Sequence, residues 1–143
     1  MVMNGKKGVI LGIANNKSIA YGIAKQCEAQ GATMAITYLN ERFEKKLTPI
    51  AEDLGCDGRL YPCDVSNPQE IKDLKESLEK DLGQIDFIVH SIAFAPKEGL
   101  TGRFYDISKE AFDIAMDISV YSLIEIVREL KPIMADSCSV LTL

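Results

Sequence analysis

The chain has 143 residues, of which 47% are hydrophobic and 26% charged, and its formal net charge is −5. This composition is typical of a soluble globular protein, and the length suits one domain or part of a larger one. The acidic balance argues against a nucleic-acid surface, and the sequence has no run of about 18 apolar residues that could cross a membrane. The N-terminus leads into a strand pattern with no signal peptide before it, so we expect a cytoplasmic protein.

Candidate metal ligands are sparse in this sequence. There is one histidine, and none of the four cysteines forms a C-x-x-C pair, so His90 cannot complete a zinc site with plausible spacing. We therefore predict no metal site. The cysteines are predicted to be reduced, mostly buried small apolar residues: Cys27, Cys56, Cys63 and Cys138.

The first predicted element is a short apolar strand over Gly8–Leu11, followed by Gly12 and a polar loop. Ser18 is predicted to cap a helix that runs to Gln30. Apolar residues recur along it at helical spacing: Ile19, Ile23 and Cys27. A strand, a glycine loop and a helix N-terminus form an anion site, because loop amides and the positive end of the helix point at one spot. The pattern reads G-x5-S-I-A-x-G, which differs from the common G-x-G-x-x-G.

The middle of the chain alternates between strand and helix patterns. Three strands are predicted there, at Thr33–Tyr38, near Arg59–Tyr61 and at Ile85–His90. The helix after the first of these strands begins near Asn40 and contains Pro49, which is expected to kink or split it. The next helix has a strong start signal, with Asn67 as cap, Pro68 at the first helical position and Glu70 at the third.

A long loop and a long helix follow. The loop runs from Ser91 to about Ile107, and a connection of that length in a compact domain suggests function. Ser108 is predicted to cap a helix that Pro132 ends. Five residues mark the period of this helix: Phe112, Ala115, Ser119, Ile126 and Leu130. A fifth strand begins at Ser139, and the sequence ends within it.

Strict alternation of strands and helices predicts an α/β fold, a Rossmann-like doubly wound parallel sheet truncated within strand 5. A ligand is expected at the carboxyl ends of the strands, at the switch point. Four places meet there: Gly12, Leu39, Asp64 and the segment Ser91–Ala95. Because a domain is not expected to end inside a central strand with an exposed edge, we interpret residues 1–143 as the N-terminal part of a single dinucleotide-binding domain.

Four segments resemble the bacterial enoyl-[acyl-carrier-protein] reductases of the FabI type, a divergent branch of the short-chain dehydrogenase/reductases. These segments are Gly12-x5-Ser18-Ile19-Ala20-x-Gly22, Cys63-Asp64-Val65, His90-Ser91-Ile92-Ala93-Phe94-Ala95-Pro96 and Ile118-Ser119-Val120-Tyr121-Ser122. The resemblance covers the whole chain, with the motifs in the family's order. It implies reduction of the trans-2 double bond of an acyl chain on acyl carrier protein, with NADH or less often NADPH, in type II fatty acid elongation.

The resemblance also implies roles for single residues. It implies pyrophosphate contacts for Gly12, Ser18 and Ile19, and a cofactor contact at the end of strand 2 for Leu39. Adenine contacts are implied for Asp64 and Val65. Contacts beside the nicotinamide ribose are implied for Ser91, Ile92 and Ala93. Ala95 would lie near the acyl substrate. Small side chains after strand 4 would let a flat cofactor approach the backbone.

The family's catalytic Tyr-x6-Lys pair belongs to the helix after strand 5, so this chain does not contain it. In the family, the tyrosine stabilises the enolate formed by hydride transfer and the lysine holds the cofactor ribose. The 143 residues alone are therefore expected to bind cofactor poorly and to catalyse nothing. Tyr105 and Lys109 imitate the Tyr-x3-Lys pair of ordinary short-chain dehydrogenases, but they precede the long helix and are not interpreted as catalytic.

The second strand ends at Tyr38-Leu39-Asn40 and so lacks the acid that would bind a ribose 2′-hydroxyl and repel a 2′-phosphate. A basic group follows that could accept a 2′-phosphate or simply form a solvated helix face: Arg42, Lys45 and Lys46. NADH is the predicted cofactor by family habit, and NADPH stays open as the alternative.

The sequence leaves two alternative functions to consider. An ordinary short-chain dehydrogenase would show a T-G-x3-G-x-G loop and an N-N-A-G segment, neither of which occurs. A non-catalytic nucleotide-binding module is disfavoured by the truncated fifth strand. Family members are usually homotetramers, so we expect a homotetramer for the full-length protein. Its expected partner is enoyl-acyl carrier protein, with neither nucleic acid nor membrane as a partner.

Overall fold

A computed structural model describes residues 1–143. Five parallel strands form one sheet in the order β3-β2-β1-β4-β5. Their bounds are β1 Lys7–Leu11, β2 Thr33–Tyr38, β3 Leu60–Pro62, β4 Ile85–His90 and β5 Met134–Thr142. The strand order reverses between β1 and β4, so the chain has the predicted doubly wound topology with its switch point at these two strands.

Helices cover both faces of the sheet. Their bounds are α1 Ile19–Ala29, α2 Glu41–Asp53, α3 Pro68–Asp81, α4 Lys109–Met116 and α5 Ser122–Leu130. Side chains from α1 and α2 pack on one face with Ile10 and Ile36, while side chains from α3 and α5 pack on the other with Val9 and Leu11. Successive residues of β1 therefore enter opposite cores, as expected for a strand buried on both faces. No helix is long and apolar enough to span a membrane.

The predicted start of α3 is confirmed, with one detail added. The Asn67 side chain accepts a hydrogen bond from Gln69 N at 3.1 Å, and Pro68 is the first helical residue. Glu70 reaches back, as an acid at the third position can, and its Oε2 accepts from Asp64 N at 2.7 Å. The cap of α3 therefore also fixes the backbone at the end of β3.

Pro49 does not split α2, contrary to one of the two predicted outcomes. The helix runs unbroken from Glu41 to Asp53. The missing amide of Pro49 leaves the carbonyl of Lys45 without its helical donor. Both residues are exposed, so water can supply that hydrogen bond.

The long helix predicted after Ser108 is interrupted. Ser108 Oγ accepts from Ala111 N at 3.1 Å, which confirms the cap, but residues Asp117–Tyr121 form a π turn between α4 and α5. A π turn inserts one extra residue and rotates the helix face. Consequently Ile126 and Leu130 are buried as predicted, whereas Phe112 is 48% exposed and lies outside the core.

Two further predictions need correction. β5 begins at Met134, five residues before the predicted start, and a register irregularity between Ile85 and Phe87 of β4 accommodates the early part of the strand. In α1 the buried positions are Ala20 and Ala24, and Ile19 is 71% exposed, so the predicted stripe does not define the core face.

Candidate functional site

A cavity of about 460 Å³ opens at the carboxyl ends of the strands, at the switch point. Seven of the nine residues predicted to contact a cofactor line it: Gly12, Leu39, Asp64, Val65, Ser91, Ile92 and Ala93. Four strands and their following loops therefore converge on one site, as the strand order requires. The walls are mainly apolar, with a few polar groups, which is typical of a cofactor site.

Gly12 permits the closest backbone approach in the cavity. Its φ is +98°, and a Cβ built there would lie 1.9 Å from Ser91 O. The same contact is fixed from the other side, because Ser91 N donates to Leu11 O at 2.9 Å. Only glycine suits this position, since both the backbone angle and the space exclude a side chain.

Ser18 and Ile19 lie beside the cavity and are not among its lining residues. Ser18 occupies the N-cap position of α1, but its hydroxyl does not cap the helix. Instead Ser18 Oγ accepts from Ala14 N and Asn15 N, both at 3.0 Å, and so holds the loop after β1 in a tight turn. The amides of Ile19 and Ala20 therefore have no hydrogen-bond partner and are available to an anion, whereas those of Tyr21 and Gly22 donate to Ser18 O.

Asp64 brings a carboxylate to the end of β3. Its Oδ1 accepts from Ser66 N at 2.9 Å and from Ser66 Oγ at 2.6 Å, while Oδ2 has no hydrogen-bond partner. Val65 is 6% exposed and packs into the core next to it. One carboxylate oxygen is thus held in place and the other can accept a hydrogen bond from a ligand.

The segment after β4 separates two cavities. Phe94 is 52% exposed and, with Ala93, lines both the switch-point cavity and a second, apolar cavity of about 440 Å³. The second cavity is lined by Ala95, the residue predicted to lie near the substrate, and by Phe112 of α4. Ser119 of the π turn fixes the dividing wall: its hydroxyl accepts from Phe94 N at 3.0 Å and donates to Phe94 O at 3.1 Å.

Charges of both signs lie near the end of β2. Leu39 is 50% exposed at the cavity rim, and the basic residues predicted there are exposed on α2: Arg42, Lys45 and Lys46. Tyr38 also lines the cavity, and burial raises its pKa, with the carboxylates of Glu44 and Glu41 adding to the effect. Acidic groups of α2 therefore accompany the basic ones.

Cys63 is the one thiol on the cavity wall. Burial, with a smaller contribution in the same direction from the carboxylates of Glu70 and Asp64, raises the pKa of Cys63 to about 12. The thiol is therefore protonated at neutral pH and is neither a nucleophile nor an anionic ligand. No group of three or more His, Cys, Asp or Glu side chains is placed to hold a metal ion.

Several lining residues were not predicted, for identifiable reasons. Thr37 and Tyr38 lie at the predicted end of β2, so their position in the sheet could have indicated them. Ile118 reaches the cavity from the π turn, which leaves no signal in the spacing of apolar residues. Tyr105, rejected as catalytic, is 71% exposed in a short 3₁₀ turn before α4 and stacks against Arg103 at 4.7 Å.

Comparison with known proteins identifies relatives of this chain. Residues 12–143 match the family model described as enoyl-(acyl carrier protein) reductase. The chain is 51% identical over 133 residues to the NADH-dependent enoyl-[acyl-carrier-protein] reductase FabI of Aquifex aeolicus. It is 44% identical over 142 residues to enoyl-[acyl-carrier-protein] reductase [NADH] 1 of Rhizobium meliloti. These alignments cover 93% and 99% of this chain, and 49% and 52% of the relatives.

Solved structures show the same likeness. The crystal structure of the Aquifex aeolicus enzyme superimposes with a TM-score of 0.95 at 48% identity, covering 99% of this chain and 61% of that one. The reductase of Anaplasma phagocytophilum, solved in complex with NAD, gives a TM-score of 0.94 at 46% identity, covering 99% of this chain and 54% of that one. The chain therefore belongs to the enoyl-(acyl carrier protein) reductase family, and it spans about half the length of the curated relatives it matches.

Proposed function

We propose that the full-length protein reduces trans-2-enoyl-[acyl-carrier-protein] to acyl-[acyl-carrier-protein] with NADH, in type II fatty acid elongation. One observation carries this proposal: the switch-point cavity adjoins a separate apolar cavity across the Phe94 wall. A flat cofactor in the first and an acyl chain in the second would meet at Ala93 and Phe94. Membership in the reductase family supports the same reaction. Residues 1–143 would be the N-terminal part of a single Rossmann domain.

The pyrophosphate at the centre of the cofactor would bind at the loop after β1. Gly12 leaves room for it, Ser18 shapes the loop, and the uncapped amides at Ile19 face the anion. The helix dipole adds a favourable interaction in the first turn. These residues therefore bind and orient the cofactor without taking part in the chemistry.

The adenine and nicotinamide halves would lie on either side of that loop. Asp64, with its free Oδ2, would accept from the adenine amino group while Val65 packs beside it, and Leu39 would line the rim near the ribose. The nicotinamide ribose would run along three residues after β4, Ser91, Ile92 and Ala93. When bound, NADH supplies the hydride, and the chain's own residues place it and exclude water from it.

NADH is proposed over NADPH on the charges around Tyr38. Glu41 and Glu44 raise the pKa of its hydroxyl, so their negative potential reaches the cavity rim and opposes a 2′-phosphate. Arg42 favours that phosphate, so the preference is expected to be moderate. A comparison of KM for the two cofactors tests it: a lower KM for NADPH than for NADH would contradict the proposal.

The exposed apolar face of α4 and α5 supports a homotetramer for the full-length protein. Several large apolar side chains are at least 40% exposed on this stretch: Phe112, Ile114, Met116, Val120, Tyr121 and Ile124. Exposed large apolar side chains in this number are typical of a protein interface. A monodisperse monomer in solution would contradict this assembly. We propose a cytoplasmic location, with no membrane or nucleic-acid partner.

The direct experiment is an assay of the full-length gene product, because the relatives are about twice as long as these residues. NADH absorbance is followed with crotonyl and longer enoyl thioesters. We expect oxidation of NADH that depends on the trans-2 double bond, with the saturated thioester as control. Turnover of a 3-ketoacyl thioester in its place would indicate an ordinary short-chain dehydrogenase. Cofactor binding without any turnover would indicate a non-catalytic nucleotide-binding module.

A further inference from the structure

His90 is the last residue of β4 and directly precedes Ser91, which packs against Gly12. Its side chain is completely buried. Each ring nitrogen has one hydrogen-bond partner: Nε2 lies 2.8 Å from Ser122 Oγ in α5, and Nδ1 lies 3.2 Å from Thr142 Oγ1 in β5. One imidazole therefore connects three elements of the fold beside the switch-point cavity.

The hydrogen bonds assign the tautomer of His90. Ser122 Oγ donates to Ile118 O at 2.7 Å, which uses its only hydrogen. It must therefore accept from His90, so Nε2 carries the proton. In a neutral imidazole Nδ1 is then the acceptor, and Thr142 Oγ1 donates to it. Burial lowers the pKa of His90 below its usual value of 6.5, which keeps the ring neutral at pH 7.

The imidazole supplies a link that the backbone does not. Ser91 N donates to Leu11 O at 2.9 Å and Leu143 N donates to His90 O at 3.1 Å, so backbone bonds hold the end of β4 within the sheet. These bonds do not connect the sheet to the helix layer. His90 makes that connection at the first residue of α5, adjacent to the π turn that contributes Ile118 to the cavity lining.

We propose that His90 is a positioning residue: as the neutral Nε2–H tautomer it fixes the end of β4 to the first residue of α5, and so holds the segment Ser91–Ala93 and the adjoining π turn in the arrangement in which both line the NADH cavity. The inference rests on the proposed function, since it assumes that NADH binds there. His90 itself lines neither cavity and acts through its neighbours.

The test is a titration of the full-length gene product with NADH, followed by fluorescence, in parallel with thermal melts. Ser122→Ala leaves the Nε2 proton buried without an acceptor, and H90L removes both bonds. Each is expected to raise the Kd for NADH about tenfold, as a lost buried hydrogen bond would. H90Q keeps a donor for Ser122 and should restore most of the affinity. Ser77→Ala is the matched control, because Ser77 Oγ donates to Asp73 O within α3, away from the cavity.

A second measurement is independent of the cofactor. Nitrogen NMR of ¹⁵N-histidine-labelled protein, with the signals of His90 identified by their loss in H90L, should show Nε2 protonated and Nδ1 unprotonated near pH 7. If H90L does not fold, Ser122→Ala and Thr142→Val test the role of His90 in its place. Thr142 is exposed, so we expect valine to be tolerated there.

The outcomes separate the two claims. A purely structural network would lower the melting temperature while leaving the Kd for NADH of the folded fraction within twofold of wild type. That result, or a proton on Nδ1, would overturn the role of His90. Wild-type protein that binds no NADH would overturn the proposed function and, with it, this inference. Wild-type protein that binds NADH, together with a raised Kd in H90L and Ser122→Ala, would support both.

Discussion

The carbonyl oxygen of Ser91 stands where a side chain on Gly12 would have to be, 1.9 Å from the position of its Cβ. Gly12 begins the loop after β1 and Ser91 begins the loop after β4, so this contact closes the switch point of the sheet. The positions of the carboxyl ends of β1 and β4 and the conformations of the two loops that follow them therefore depend on each other. The contact explains why the site tolerates no side chain at its centre.

Gly12→Ala should therefore destabilise the protein. The substitution combines backbone strain at φ +98° with a clash against a backbone atom, and we expect a loss of about 2–4 kcal/mol in the free energy of unfolding. Denaturant unfolding of both proteins measures it. Gly22→Ala is the matched control: nothing lies within 4 Å of its Cβ, so the change should stabilise α1 by up to about 1 kcal/mol. Equal changes in the free energy of unfolding for the two substitutions would contradict the steric contact described for Gly12.

Ser119→Ala should affect the substrate more than the cofactor. The Ser119 hydroxyl holds both backbone groups of Phe94, and Phe94 forms the wall of the apolar cavity. Without it, we expect KM for an enoyl thioester to rise about three- to tenfold, with KM for NADH changed less than twofold. Steady-state kinetics on the full-length protein provides both values. Parallel increases in the two KM values would show that the wall does not separate the two sites.

The four thiols should differ in reactivity. Burial raises the pKa of Cys63 to about 12 and that of Cys56 to about 11, and both side chains are buried. Cys27 and Cys138 are partly accessible. Timed alkylation at pH 8, read by mass spectrometry, should modify the accessible pair first and the buried pair only after unfolding. Rapid modification of Cys63 in folded protein would contradict the thiol environment described for the cavity.

Acid should remove part of the stability through Asp86. Lys6 Nζ donates to Asp86 Oδ1 at 2.8 Å and Lys7 N donates to Oδ2 at 3.0 Å, and these bonds hold the pKa of Asp86 below its usual value. The unfolded chain then takes up the proton first as the pH falls. The contribution is complete above the unfolded pKa of about 4 and is lost as the pH falls through the lower folded pKa.

Asp86→Asn should accordingly make unfolding less sensitive to pH below about 4, with a loss of less than about 1 kcal/mol at pH 7 because Lys6 is largely solvated. Melting temperatures between pH 2.5 and 7 measure the effect. Asp57→Asn, on an exposed turn, serves as the control. If the melting temperature of Asp86→Asn falls with acid as steeply as that of the wild type, the Lys6–Asp86 pair contributes nothing to the pH dependence.

Local sequence signals predicted much of the frame. β2 and β4 have the predicted bounds, and the caps at Asn67 and Ser108 are present, because each depends on a few neighbouring residues. Seven of the nine predicted cofactor contacts also line the cavity, since parallel strands bring their carboxyl ends to one edge. These features need no knowledge of distant contacts.

The features that were missed depend on tertiary contacts. The π turn is tied to the rest of the molecule through Ser119, which bonds to Phe94, and through the next residue, Ser122, which bonds to His90. The early part of β5 has no strand-like alternation and is held by pairing of Met134 with β4. The hydroxyl of Ser18 turns to the loop in preference to the helix, a choice between two local partners that its position in the sequence does not decide.

Hydrogen exchange with and without NADH tests the central claim most directly, because it locates the cofactor without relying on turnover. In the full-length protein, saturating NADH should slow amide exchange in the loops at the carboxyl ends of β1, β3 and β4, at residues 12–20, 64–66 and 91–95. Amides at the opposite edge of the sheet, such as those near Gly83, should not change. Protection at that opposite edge, or none at the switch point, would contradict the placement of the cofactor and the function proposed from it.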